Sequence, residues 1–89
     1  MNHIWIFNGA GGRFPSGCFS TKEMADKWIN KHLLTGCLTR YPIDKGFYEW
    51  AIENEFFTPK KEEHKTSKFI QKFSCAGAEH YHYEDGVED

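Results

Sequence analysis

The chain has 89 residues, a formal charge of -2 and 17% Phe, Trp and Tyr. That length allows one domain with one modest core, and the near-neutral charge argues against nucleic acid or a membrane as a partner. Three cysteines form no CxxC pair, and no apolar run suits a signal peptide or approaches the ~20 residues that span a bilayer, so the expected setting is the cytoplasm with reduced thiols.

In chain order, His3–Phe7 is an almost unbroken apolar run and predicts a strand. Asn8–Gly17 is a glycine-rich loop, and Cys18–Ser20 predicts a short second strand that closes a long-looped hairpin. Ser20-Thr21-Lys22-Glu23 fits a capping box, with Ser20 as the cap. Met24, Ala25, Trp28, Ile29 and Leu33 then share one helical face, and Gly36 is the expected stop.

Cys37–Tyr41 alternates as a third strand, ended by Pro42. Asp44 is placed to cap a second helix over 45–53, with Phe47, Trp50 and Ala51 inward and Asn54 closing it. Residues 60–65 are charged and predict an exposed loop. Thr66 or Ser67 then caps a third helix running to Phe73. His80-Tyr81-His82-Tyr83 predicts the last strand, ended at Asp85-Gly86, with the final three residues frayed. The order β-β-α-β-α-α-β predicts an α+β fold over 1–89, ordered from about 3 to 86. Its sheet is small and mainly antiparallel, with the helices on one face.

The glycine loop lacks a phosphate-binding pattern. No G-x-x-x-x-G-K-[ST] is present, Phe14 stands where Gly9-x-Gly11 would need a third glycine, and a strand follows before any helix. It is a hairpin loop whose glycines supply turn conformations, and Arg13 beside Phe14 is a candidate contact for a carboxylate or phosphate. His80 and His82 fall on one strand face and are weak candidate ligands for zinc, copper or nickel. A third ligand would come from Glu84, His3, His64 or a cysteine. Tyr81 and Tyr83 fall on the opposite face. With Trp50 or Phe56-Phe57 they are candidates for a partner-binding patch, weighed against a role in capping the core. The lysines at 60, 61, 65, 68 and 72 interleave with Phe69, Ile70 and Phe73. Their spacing fits a helix with a buried face better than a nucleic-acid stripe.

No nucleophile signature surrounds any cysteine or serine, so no catalytic residues and no cofactor are predicted. The expectation is a small non-enzymatic cytosolic interaction module, of an adaptor, inhibitor or immunity type, that binds a protein or small ligand. Its candidate contacts are Arg13, Phe14, Trp50, Tyr81 and Tyr83. The alternative is a metal- or ligand-dependent protein built on His80 and His82, with hydrolytic chemistry.

Five stretches carry a resemblance: Trp5–Gly11, Arg13–Gly17, Phe19–Glu23, Tyr41–Asp44 and Trp50–Asn54. A sixth, Glu79–Gly86, is the most specific. On these the chain resembles a family of small bacterial domains labelled only as of unknown function. The resemblance covers nearly the whole chain. It implies that the glycine loop and the terminal His-Tyr strand are family features, and it implies no reaction, ligand or partner.

Overall fold

The computed structural model describes residues 2–89. Five antiparallel strands lie in the order β2-β1-β3-β4-β5, with β1 at His3–Gly9, β2 at Gly17–Phe19, β3 at Gly36–Pro42, β4 at His80–Glu84 and β5 at Val87–Glu88. Three helices complete an α+β fold: α1 at Lys22–His32, α2 at Phe47–Glu53 and α3 at Ser67–Ile70. The chain divides into two compact units, one of residues 1–43 and 78–89, the other of residues 44–77.

The sheet belongs to the first unit. Alternation along β1 turns Trp5 and Phe7 to one face and Ile4 and Ile6 to the other. Ala25 and Ile29 of α1 pack onto the first face, where they bury Trp5, Phe7, Leu38 and Tyr83, with Phe19, Trp28, Leu34 and Tyr81 at the margin. Phe7, Ile29 and Leu38 are fully enclosed. Each contributes roughly 1.5–3 kcal/mol by leaving water.

The start of α1 differs from the sequence reading by one residue. Thr21 is the cap, and its Oγ1 accepts from the Met24 amide at 3.2 Å. The Ser20 hydroxyl lies 3.7 Å from Met24 Sδ, so the Ser20–Glu23 box does not form. The helix ends at Leu33, three residues before Gly36, and it is Leu33 and not the glycine that closes it. Leu33 takes the left-handed conformation at φ 54°, and the Leu33 and Leu34 amides donate to the Asn30 and Ile29 carbonyls. Gly36 instead opens β3, opposite Gly9. Pro42 is the last residue of β3.

The chain pairs beyond the point where the sequence reading ends its last strand. Asp85 and Gly86 both have positive φ, 51° and 86°, and form a two-residue hairpin turn into β5. The Gly86 amide donates to the Leu34 carbonyl at 2.8 Å, and the Asp85 amide donates to Thr35 Oγ1 at 3.0 Å.

In the second unit, α2 is capped by Gly46 without a side-chain bond. Asp44, the expected cap, lies in a turn at φ 61°. Residues 62–65, expected as loop, form a 3-10 turn, and His64 Nδ1 accepts from the Lys60 and Lys61 amides at 3.3 and 3.4 Å. Thr66 Oγ1 caps α3 by accepting from the Phe69 amide, but α3 stops at Ile70, short of Phe73. Tyr48 lies edge-on to Phe73 at 5.5 Å between ring centroids, and Phe57 lies 5.7 Å from Phe69. The Tyr48 hydroxyl donates to the His64 carbonyl at 2.8 Å. No helix among the described residues is long and apolar enough to cross a membrane.

Candidate functional site

The pleat sorts the first unit's polar side chains between the two faces of its sheet. In register, Phe7 stands opposite Leu38 and Leu38 opposite Tyr81, which makes one row on the α1 face. The next residue along each strand points away from α1. That row is Asn8 on β1, Cys37 on β3 and His82 on β4. A second such row is Ile6, Thr39 and His80.

The Asn8–Cys37–His82 row opens into a pocket of about 420 Å³ lined by Asn8, Ala10, Cys37, His82 and Glu84, with Thr35, Gly36, Tyr83 and Asp89 completing the wall. The pocket thus joins the base of the glycine loop to the terminal hairpin. The volume lies within the ~300–1,000 Å³ of small-molecule sites. Its carboxylates, imidazole, thiol and amide supply hydrogen-bond acceptors and donors within one concavity. The pairing register brings Cys37 and His82 face to face. The Arg40 amide donates to the Glu79 carbonyl at 3.0 Å, which marks 40/79 as a hydrogen-bonded pair. By alternation, 37/82 is a non-hydrogen-bonded pair, the kind in which side chains approach more closely. The Cys37 thiol rests 3.7 Å from Thr39 Oγ1.

His80 and His82 sit on this same face, with rings 5.4 Å apart and nearly perpendicular. His80 Nδ1 is 2.7 Å from the Ala78 carbonyl, an arrangement that makes Nδ1 the protonated nitrogen and leaves Nε2 as the acceptor. Of the third ligands considered, His3 lies on β1, separated from β4 by β3, with its Nδ1 2.9 Å from an Arg40 guanidinium nitrogen. His64 belongs to the second unit. Among the described residues, no three His, Cys, Asp or Glu side chains are gathered to hold a metal ion.

The α1 face carries a separate polar network. Lys22 Nζ lies 2.9 Å from Asp26 Oδ2, 2.8 Å from Glu88 Oε1 and 4.4 Å from the centre of the Tyr81 ring. The Tyr83 hydroxyl donates to Asp26, and the Tyr81 hydroxyl donates to Glu79, which also pairs with Arg40. Partial burial pulls the Lys22 ammonium down, but its bonds to Glu88 and Asp26 outweigh this and hold it above the ordinary lysine value. Burial, then the bond to Asp26, pushes the Tyr83 phenol up to about 12. The bond to Glu79 raises that of Tyr81.

The residues singled out in the sequence therefore fall in three places. Arg13 and Phe14 are exposed on the glycine loop, with the guanidinium 5.8 Å from the Phe14 ring centre and Phe14 74% accessible. Tyr83 is a core residue, 4% accessible, and Tyr81 is half-buried with its ring 6.0 Å from that of Trp5. Trp50 lies in the second unit, stacked between Phe47 and Phe56 at 5.4 and 5.5 Å. The sequence reading did not assign Asn8 to a site, and it considered Cys37 only as one of three cysteines that could add a metal ligand. Only the strand pairing β1-β3-β4 brings them beside His82, and no local motif signals it.

The model of a family described as a domain of unknown function (DUF7710) matches residues 4–89. No curated protein matches the chain, and no solved structure does.

Proposed function

The chain belongs to this family of domains of unknown function, and we propose that it acts as a small non-enzymatic interaction module of the cytosol. It binds a protein or small ligand at the pocket between the glycine loop and the terminal hairpin. One observation carries this reading: an open surface pocket of about 420 Å³ is lined by both of the chain's distinctive segments, with Asn8 and Ala10 from the first and His82 and Glu84 from the second. Arg13 and Phe14, exposed on the same loop, supply a cation and an apolar ring for a bound partner. An adaptor, inhibitor or immunity-type role fits such a module.

The test is native mass spectrometry of the untagged protein from its own host, paired with affinity capture by wild type, Arg13→Ala and Glu84→Lys. Both substitutions are at exposed positions and leave the fold intact. The expected result is a ligand or partner held by wild type and lost by both variants. Retention by both refutes the site.

A metal-dependent role for His80 and His82 has one observation in its favour, the 5.4 Å approach of their rings on one face. It requires zinc to raise the thermal midpoint of the protein and His80→Ala to abolish the rise.

A further inference from the structure

We propose that Cys37 and His82 form a reactive thiol–imidazole pair, which accepts an acyl group from a small activated ester or thioester bound in the pocket. This rests on the pocket of the proposed function and names the chemistry of its ligand.

Four observations converge. First, Cys37 and His82 are direct cross-strand partners in a non-hydrogen-bonded pair. Their Cβ atoms therefore stand roughly 4.5–5.5 Å apart, a span that a thiol and an imidazole bridge. Second, Glu84 is two residues beyond His82 on the same strand face, where a carboxylate can hold the second ring nitrogen and orient the imidazole. Third, Asn8 flanks Cys37 from the other side, on β1, and offers an amide N–H to an oxygen that gains charge. Fourth, Asn8, Cys37, His82 and Glu84 all line one open surface pocket with the volume of a small ligand. The other two thiols lack this setting. Cys18 is exposed and stands opposite Ile6, while Cys75 Sγ accepts from the Gly77 amide at 3.3 Å.

The thiol rests against Thr39 Oγ1, and a turn about χ1 brings it towards His82. Cys37 Sγ then attacks the acyl carbon while its proton passes to the free nitrogen of His82. The new C–S bond forms and the bond from the acyl carbon to the leaving group breaks. The leaving group departs with the proton that His82 returns. The products are one thioester at Cys37 and one protonated leaving group. The chain then acts as a stoichiometric acceptor, one acyl group per Cys37.

The test uses the full untagged chain with p-nitrophenyl acetate. The readouts are p-nitrophenolate release and the acetylated cysteine, identified by peptide mass spectrometry. The expected result is one acetyl group per chain, on Cys37, lost in Cys37→Ser. His82→Gln, a substitution at an exposed position, slows acetylation about a hundredfold, the low end of what a positioned base contributes. Acetylation of Cys37 no faster than that of Cys18, or an unchanged rate in His82→Gln, overturns the proposal. Partner loss in Arg13→Ala reads only the binding function. If that fails while Cys37 still acetylates through His82, the binding reading falls and the thiol site stands.

Discussion

Gly36 is where the sheet has least room, and Gly36→Ala tests the register on which the pocket depends. A Cβ at this position would collide with the Asn8 carbonyl oxygen and stand 2.8 Å from Gly9 Cα and 2.7 Å from Phe7 Cζ. Two of these three atoms are backbone of the paired strand β1, so no side-chain rotation relieves the clash. Overpacking of this kind costs about 1–3 kcal/mol, and the rigid neighbours place Gly36 at the upper end. Alanine restores about 0.4–1 kcal/mol by restricting the unfolded chain. The net loss is about 2 kcal/mol, or about 8–16 °C of thermal midpoint for a domain of this size. Circular dichroism melts and urea titration of Gly36→Ala give the value. Gly12→Ala is the control, because its Cβ would come no closer than 3.3 Å to any neighbour, the Gly9 carbonyl oxygen, with the Phe14 carbonyl oxygen next at 3.6 Å. A Gly36→Ala midpoint within 2 °C of wild type would mean that β1 and β3 do not approach as described, and the Asn8–Cys37–His82 row would lose its basis.

Leu33→Gly raises stability by about 1 kcal/mol in the same melts, because Leu33 sits at φ 54° with its side chain 65% accessible. Thr21→Ala lowers stability by about 1 kcal/mol and Ser20→Ala leaves it within error, which separates the observed cap from its neighbour. Alkaline pH weakens the fold. The Tyr83 phenol and Lys22 ammonium are both raised in the folded state, so the folded chain holds protons that the unfolded chain releases. Stability is full below pH ~10 and falls as pH rises towards 12, and Tyr83→Phe flattens the phenol's share of that fall in urea titrations across the range. Zinc added to the untagged protein leaves the melting midpoint unchanged, because the described residues gather no three ligands.

Much of the fold was legible because its signals are local. Ala25 and Ile29 repeat at helical spacing and are fully buried in α1, and Trp5 and Phe7 alternate into the core as β1 requires. The errors have equally local causes. Ser20 and Thr21 are both competent caps, and only the backbone path selects Thr21. Gly36 suited a helix stop by composition, but close strand approach claims it, and Leu33 takes the left-handed position in its place. Asp85-Gly86 carries a hairpin signal that reads equally as an ending, because Val87-Glu88 is too short to show alternation. The site was far less visible. Cys37 and His82 are 45 positions apart in the chain and adjacent only through strand pairing. The alternation of Tyr81 and Tyr83 was plain, but which face α1 covers was not, and Tyr83 proved to lie in the core.

The pocket is tested most directly by two-dimensional amide NMR of the labelled chain, titrated with a library of small polar fragments. The account predicts shift changes that cluster on Asn8, Ala10, Thr35–Cys37 and His82–Glu84, and that vanish in Glu84→Lys. Shifts centred instead on Trp50 and Phe56 of the second unit, with the sheet residues silent, would contradict it.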